Sequence, residues 1–130
     1  MPSVLIVRDW YLTIYCADPY ALASFWAKAL GGKMSRDNFP GDPEAGVTGA
    51  RPTLWFLRVD NPEMVKNHLH LDLQPQDRTR DLEVERLLSL GATLKEDCRR
   101  FPRGWVRMCD PEGNEFNVVQ SAAERWSQSR

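Results

Sequence analysis

Two segments of similar organisation follow one another along this chain, and this repeat constrains the fold more than any other feature of the sequence. Each segment reads as a strand, a helix that stops at a Leu-Gly pair, and then further strands. The two pairs, Leu30-Gly31 and Leu90-Gly91, lie 60 residues apart. Two units are too few for a solenoid, so they must pair to bury their apolar faces. The repeat predicts an α+β fold of two βαβββ modules, at approximately 8–60 and 67–120, that form a cupped mixed sheet with helices on its outer face.

The elements of the first module are predicted from residue type and spacing. The segment Trp10–Cys16 alternates and is rich in aromatic and β-branched residues, which favours a strand. Asp18-Pro19 supplies an N-cap and a first helical residue, and the helix is expected to stop at Gly31-Gly32. The polar stretch after it is predicted to hold a weak strand and then a loop over Asn38–Ala45, followed by a strand over Thr53–Val59.

The second module opens with strict alternation over His68–Leu73. This period places the leucines on one face of a strand and His68, His70 and Asp72 on the other. We expect the leucines to face the helices and the polar side chains to face the concave surface of the sheet. The remaining elements are a helix from about Thr79 or Asp81 to Leu90, and strands over Thr93–Glu96, Gly104–Cys109 and Glu115–Val119. The capping-box spacing of Ser121 and Glu124 predicts either a short terminal helix or a frayed tail.

A tight turn is predicted at Asp110-Pro-Glu-Gly-Asn114, immediately before the last strand. Aspartate suits the first turn position, proline presets φ at the second, and glycine and asparagine tolerate positive φ. In the strand after the turn, Phe116 and Val118 lie on one face, and Asn117 lies on the other with the polar groups.

Composition and charge exclude several classes of partner. The formal net charge of -1 gives no electrostatic reason to expect nucleic acid or an anionic membrane surface. No apolar run approaches the ~20 residues that span a bilayer, and no signal pattern opens the sequence. The 3 cysteines show no C-x-x-C spacing, so neither a disulfide framework nor a cysteine zinc site is indicated. We expect one cytoplasmic domain over residues 1–130 that has a small molecule as its partner.

Five short motifs occur in order along the chain: Cys16-Ala-Asp-Pro19, Phe25-Trp26 with Leu30-Gly31, His70-Leu-Asp-Leu73, Leu90-Gly-Ala92, and Asp110-Pro-Glu-Gly-Asn-Glu-Phe116. Together they resemble the vicinal oxygen chelate superfamily, which contains glyoxalase I, bleomycin-resistance proteins and extradiol dioxygenases, and most closely its glyoxalase-like branch. The resemblance covers nearly the whole chain. It implies paired βαβββ modules and, in the metal enzymes of the family, a divalent ion held by His or Glu side chains from four cupped strands.

The same resemblance implies that a metal site would be incomplete here. At the positions of the family's ligands on the first and last strands this chain has Tyr11 and Asn117, and His68 falls on a histidine ligand position. Tyrosine and asparagine are poor substitutes for the imidazole and carboxylate groups that such ions prefer. We therefore expect no cofactor; if a divalent metal is bound, His68 is the candidate ligand.

We predict a small-molecule-binding protein of the glyoxalase/bleomycin-resistance type, because pockets are mostly apolar and aromatic with a few polar anchors. Core packing is the competing explanation for the tryptophans, and a cross-strand hydrogen bond to Asp72 is the competing explanation for His70. The alternative function is a metal-dependent lyase or dioxygenase that uses His68 with non-standard ligands, for which the candidates are Glu115, His70 and Asp72. A structural role also stays open, and no residue is assigned to catalysis. The predicted ligand-binding residues are Tyr11, Trp55, His68, His70, Trp105 and Asn117.

We also expect a homodimer. The edges of a cupped sheet present unpaired backbone groups that a protein must cover, and closed two-fold symmetry is the commonest way in which copies of one chain do so.

Overall fold

The computed structural model describes residues 11–62, 67, 71–101, 103–121 and 123–125. The chain divides into two compact units, Met1–Pro62 and Glu63–Arg130. The first unit contains β1 (Tyr11–Cys16), α1 (Pro19–Leu30), β2 (Lys33–Met34), β3 (Glu44–Thr48) and β4 (Thr53–Arg58). The second unit contains β5 (Asp72–Leu73), α2 (Arg80–Leu90), β6 (Thr93–Arg100), β7 (Arg103–Cys109) and β8 (Glu115–Val118).

Each unit has its own four-stranded mixed sheet, and the two sheets have the same topology. The strand orders are β1-β4-β3-β2 and β5-β8-β7-β6. In each sheet the first and last strands of the module are parallel neighbours, and the other pairs are antiparallel. This common order confirms the two βαβββ modules and the α+β class predicted from the repeat.

Helix α1 begins and ends where its sequence predicts. The Asp18 side chain accepts a hydrogen bond from the Ala21 N–H at 3.2 Å, and Gly31 ends the helix in the left-handed region at φ 71°. These two residues satisfy backbone groups that a helix terminus otherwise leaves unpaired. The apolar stripe of α1 is buried, including Phe25 and Trp26, whose rings meet edge to face at a centroid distance of 5.2 Å.

The prediction of a loop over Asn38–Ala45 is wrong at its end, because β3 begins at Glu44. Ala45, Gly46 and Val47 are all buried in this strand, between β4 and β2 in the sheet. Small residues carry little strand propensity of their own, so the sequence pattern gave no signal here. Their burial comes from tertiary packing, since α1 contacts β3 closely.

The ring of Trp55, the register partner of Gly46 on β4, leaves no space for a side chain at position 46. A Cβ atom at position 46 would lie 2.9 Å from the Trp55 ring and 2.9 Å from the Ser35 hydroxyl. The indole therefore lies across the strand at the place where a side chain is missing. Asn38 fixes the chain beside it, because its Oδ1 accepts a hydrogen bond from the Gly46 N–H at 3.0 Å.

Helix α2 also has the predicted ends, but its buried face differs from a simple leucine stripe. Thr79 is the N-cap and Gly91 follows the last turn at φ 118°. Leu82 is 60% exposed, whereas Arg80 is only 3% exposed. The Arg80 Nη1 donates to the backbone carbonyls of Arg103 and Gly104 at 2.9 and 3.1 Å. The buried guanidinium of Arg80 thus links the start of α2 to the hairpin of β6 and β7. The two carbonyl groups accept the hydrogen bonds that a buried guanidinium needs.

The predicted capping box near the C-terminus is present and has a second role. The Ser121 N–H donates to Glu124 at 2.9 Å, and the Glu124 N–H donates to the Ser121 hydroxyl at 3.0 Å. The same Glu124 oxygen accepts the N–H of Arg80, the first residue of α2, at 2.7 Å. One carboxylate therefore caps two helical segments. Residues 123–125 are helical, which agrees with the predicted terminal helix.

The turn before the last strand has the predicted structure. Asp110 is 2% exposed, and its Oδ1 accepts the N–H groups of Glu112 and Asn114, each at 2.9 Å. Gly113 takes a positive φ of 86°. A buried aspartate is stable here because its charge is met by backbone and side-chain donors of the turn itself.

One predicted strand is longer in the structure, and another lies only partly within the described residues. Strand β6 continues to Arg100, beyond the predicted Glu96, because it pairs with β7 as far as Arg103. The described part of β5 is Asp72–Leu73, and His68, Leu69 and His70 lie outside the described residues. In the described part of the chain, no helix is both long and apolar enough to cross a bilayer.

Glu124 has a lower pKa in the folded chain than its ordinary value of 4.5. Burial acts to raise this pKa, but hydrogen bonds from the backbone of Ser121 and Arg80 and from the Ser121 side chain outweigh burial because they favour the charged form. A pKa that is depressed on folding contributes stability above the unfolded value, and this contribution is lost as pH falls through the folded value.

We expect Glu124→Ala to lower the free energy of unfolding by about 1–2 kcal/mol at pH 7, because it leaves two helix-terminal N–H groups without their acceptor. Glu124→Gln is the matched control, since it keeps an acceptor oxygen and loses the charge, and we expect a smaller loss. Urea denaturation as a function of pH measures both. Wild type and Glu124→Gln should converge in acid, and a difference between them that does not change with pH would contradict the assignment.

We expect Gly46→Ala to destabilise the chain by about 1–3 kcal/mol, because the new methyl group must displace the Trp55 ring. Chemical denaturation gives the free energy, and near-ultraviolet circular dichroism reports the ring. In a Trp55→Leu background the same change should cost much less. Equal costs in the two backgrounds would show that the ring is not the obstacle.

Candidate functional site

In the first unit, two of the predicted binding residues lie on one face of the sheet. Tyr11 pairs with Thr53 across the parallel β1–β4 ladder, and Trp55 stands two residues further along β4. Side chains two residues apart on a strand share a face, so Tyr11 and Trp55 are on the same side. That side is open, since Tyr11 is 62% exposed, whereas Leu54 and Phe56 on the other side are fully buried. The structure therefore places these two aromatic side chains together on the open face of the first sheet.

In the second unit, Trp105 and Asn117 likewise share the open face of the sheet. Asn117 pairs with Arg107 on one side and with Asp72 on the other, and Trp105 precedes Arg107 by two residues. The alternate residues Val106 and Val118 are fully buried on the covered face. The other two predicted residues, His68 and His70, lie outside the described residues, and their placement is a prediction still.

A cavity of about 450 Å³ opens on this face of the second unit. Trp105 and Val119 supply its apolar part, and Asp72 and Arg125 are its charged residues. The walls come from the sheet and from the segment after β8. The complete lining is Asp72, Gln74, Gly104, Trp105, Val119, Gln120 and Arg125.

The carboxylate of Asp72 is held by Asn117. The Asn117 Nδ2 donates to Asp72 Oδ1 at 2.9 Å, which follows from the parallel register that sets these residues side by side on β5 and β8. The Asn117 Oδ1 atom is buried and has no hydrogen-bond partner within the described segments. An unpaired buried oxygen costs about 1–3 kcal/mol, and such costs are typical of functional sites.

Trp105 is positioned by the residue before it. Gly104 has φ 91°, and a Cβ there would lie 2.3 Å from the Cys98 carbonyl oxygen. Only glycine fits this approach of backbone to backbone. The Arg80 guanidinium then fixes the Gly104 carbonyl at 3.1 Å. Trp105, at 41% exposure, thus projects from a rigid hairpin.

The two thiols near this face are protonated at neutral pH. A hydrogen bond to Glu96 and partial burial raise the pKa of Cys98, and burial raises the pKa of Cys109. Nucleophilic cysteines need a lowered pKa. Neither residue has the environment of a catalytic nucleophile.

Sequence reasoning did not identify several residues of the cavity. Gln74 and Val119 follow their strands directly and carry no motif, and Arg125 belongs to the terminal segment. The capping box at Ser121 and Glu124 was the available signal, because it predicts an ordered turn that can form a wall. Asp72 was placed on the correct face, but its pairing with Asn117 depends on the strand register.

The described residues at the metal-ligand positions of the vicinal oxygen chelate enzymes do not fit a divalent ion. Tyr11 and Asn117 provide weak neutral ligands, and the open face of β4 carries Thr53, Trp55 and Leu57. Glu115, a predicted substitute ligand, is ion-paired with Lys95 instead. Across the residues that the structure describes, no group of three or more His, Cys, Asp or Glu side chains could hold a metal ion.

Comparisons with solved structures agree with this fold. The chain is similar to a glyoxalase/bleomycin resistance protein/dioxygenase family enzyme from Burkholderia phytofirmans PsJN, with 20% identity, a TM-score of 0.61, and coverage of 83% of this chain and 94% of that one. It is also similar to a variant of the fosfomycin resistance protein FosX from Listeria monocytogenes complexed with Mn(II) and 1S,2S-dihydroxypropylphosphonic acid. There the identity is 16%, the TM-score is 0.67, and the coverage is 97% of this chain and 100% of that one. At these identities the likeness shows the fold alone.

A hypothetical protein from S. aureus is similar as well, with 18% identity, a TM-score of 0.62, and coverage of 88% of this chain and 97% of that one. A search of curated proteins found no match. The model of the glyoxalase-like domain matches residues 11–119, which span all ten strands and helices named above. The chain therefore belongs to the glyoxalase-like domain family.

Proposed function

We propose that this protein binds a small organic molecule on the open face of its second unit and does so without a resident metal ion. The observation that carries the proposal is the cavity of about 450 Å³ in which an indole stands near a carboxylate and two amides. Ligand pockets have this size and this mixture of apolar wall and few polar groups. Trp105 supplies the stacking surface, and Asp72, Gln74 and Gln120 supply hydrogen-bonding groups.

The family supports a small-molecule ligand. The similar FosX structure contains Mn(II) together with a phosphonic acid, so this fold accommodates a small ligand in that protein. In this chain Asn117 stands where the metal enzymes of the family have a carboxylate, and its amide is hydrogen-bonded to Asp72. Removal of one charged ligand weakens a divalent site strongly, because such ions need several anionic or imidazole groups. The pocket is therefore proposed to act through the organic ligand alone.

A thermal-shift screen of aromatic metabolites and antibiotics tests the binding function. A ligand at 100 times its Kd should stabilise the folded chain by about 2.7 kcal/mol. We expect Trp105→Ala to remove this stabilisation, because the indole is the largest apolar surface of the cavity. Phe101→Ala is the matched control, since Phe101 is on the same hairpin, is 92% exposed and does not line the cavity. Stabilisation that survives Trp105→Ala would place the binding elsewhere.

Elemental analysis of protein purified without chelators tests the metal-independent part of the proposal. We expect substoichiometric metal, and we expect chelator treatment to change neither the melting temperature nor ligand-dependent stabilisation. His68→Ala should leave the metal content unchanged. One metal ion per chain that disappears in His68→Ala would instead support the metal-dependent lyase or dioxygenase.

A further inference from the structure

The cavity of the second unit contains one carboxylate whose charge no cation balances within the described segments. Among the described residues, the Asp72 carboxylate accepts one side-chain hydrogen bond, from the neutral amide of Asn117 at 2.9 Å. Its side chain is exposed to the cavity, and it takes part in none of the ion pairs of the described residues. Within the described part of the chain, the Asp72 carboxylate therefore has no cationic partner.

The basic groups near Asp72 have other interactions. Arg107 stands next to Asn117 in the sheet, but its Nη1 is directed to Glu96 on the far side, at 3.8 Å. Lys95 pairs with Glu115. Arg125 lines the cavity and is engaged in an interaction of its own. Among the described residues, the charged group in contact with Asn117 is thus the Asp72 carboxylate, while Arg125 is the cation of the same cavity.

The side chain at position 117 determines whether this site suits a monovalent or a divalent cation. A glutamate there would put two carboxylates side by side, and their repulsion would be relieved by a divalent ion or a shared proton. Asparagine leaves one negative charge and, through its donated hydrogen bond, holds that carboxylate in place. One oriented carboxylate matches a monovalent cation with N–H donors, because hydrogen bonds between charged groups are stronger than neutral ones.

The aromatic wall of the cavity adds a second requirement that a ligand must meet. Trp105 lines the same cavity as Asp72, and indole is the side chain that attracts organic cations most strongly through its ring. Val119 adds apolar surface. We propose that the cavity binds a monovalent organic cation that carries an aromatic ring, with the ammonium group on Asp72 and the ring against Trp105. This inference rests on the proposed function and names its ligand class.

Three matched probes test the ligand class: 2-phenylethylamine, 2-phenylethanol and 3-phenylpropionate, which share a ring and differ in charge. Dissociation constants come from chemical-shift titration of the backbone amides of the cavity at neutral pH. We expect the amine to bind about five- to tenfold more tightly than the alcohol, and the carboxylate to bind most weakly. Added salt should weaken the binding of the amine alone.

Asp72→Asn should reduce the amine to the affinity of the alcohol, because it removes the charge and keeps an oxygen that can accept the Asn117 hydrogen bond. Trp105→Ala should weaken all three probes. Arg125→Gln is the charge control and should leave the amine the tightest of the three.

The outcomes separate this inference from the proposed function. Equal binding of amine and alcohol, or a preference for the carboxylate, overturns the cationic ligand; if binding still depends on Trp105, the small-molecule site stands. Amine binding that Asp72→Asn does not weaken also overturns the inference. If none of the probes perturbs the cavity amides at millimolar concentration, both the inference and the site are wrong.

Discussion

The parallel pairing of the first and last strands in each module is the constraint on which the rest of this structure depends. With the last strand beside the first, the first and second strands of each module lie at opposite edges of the sheet, so the chain must cross one face to connect them, and it does so with a helix. The crossover covers one face and leaves the other open. Strand alternation then sorts the side chains, so that Phe56 and Val118 enter the core while Trp55 and Asn117 remain on the open side. The face available for binding follows from the topology.

Local signals in the sequence were sufficient for most of the fold. Asp18-Pro19 and Gly31 define α1, and Asp110 with Gly113 defines the last turn, because in each case the residues that determine the structure lie within a few positions of it. No strand was predicted at the position of β3 from residue type and spacing. Its burial depends on packing against α1 and on Trp55 in the neighbouring strand, and Ala45 and Gly46 carry little strand propensity of their own.

The site was predictable to a similar extent and for a similar reason. Strand alternation is sufficient to place Asn117 on the polar face of its strand and Trp105 on the same face as Arg107. The role of Asp72 depends on the register between β5 and β8, and the contribution of Arg125 depends on where the terminal segment packs. Arg80 is the clearest case: a charged residue in the first turn of a helix is normally solvated, and its partners are carbonyl groups more than twenty residues away. Sequence spacing contains no information on such contacts.

Because the Glu124 carboxylate accepts N–H groups from two helical segments, it couples the stability of two parts of the second unit. The carboxylate joins the first turn of α2 to the segment that carries Gln120 and Arg125, and that segment is a wall of the cavity. Fraying of the helix start and loosening of the wall are therefore one coupled opening rather than two independent ones. A change that unravels the start of α2 therefore also loosens the segment that carries Gln120 and Arg125, so the end of the described chain contributes to the stability of a helix distant from it in sequence.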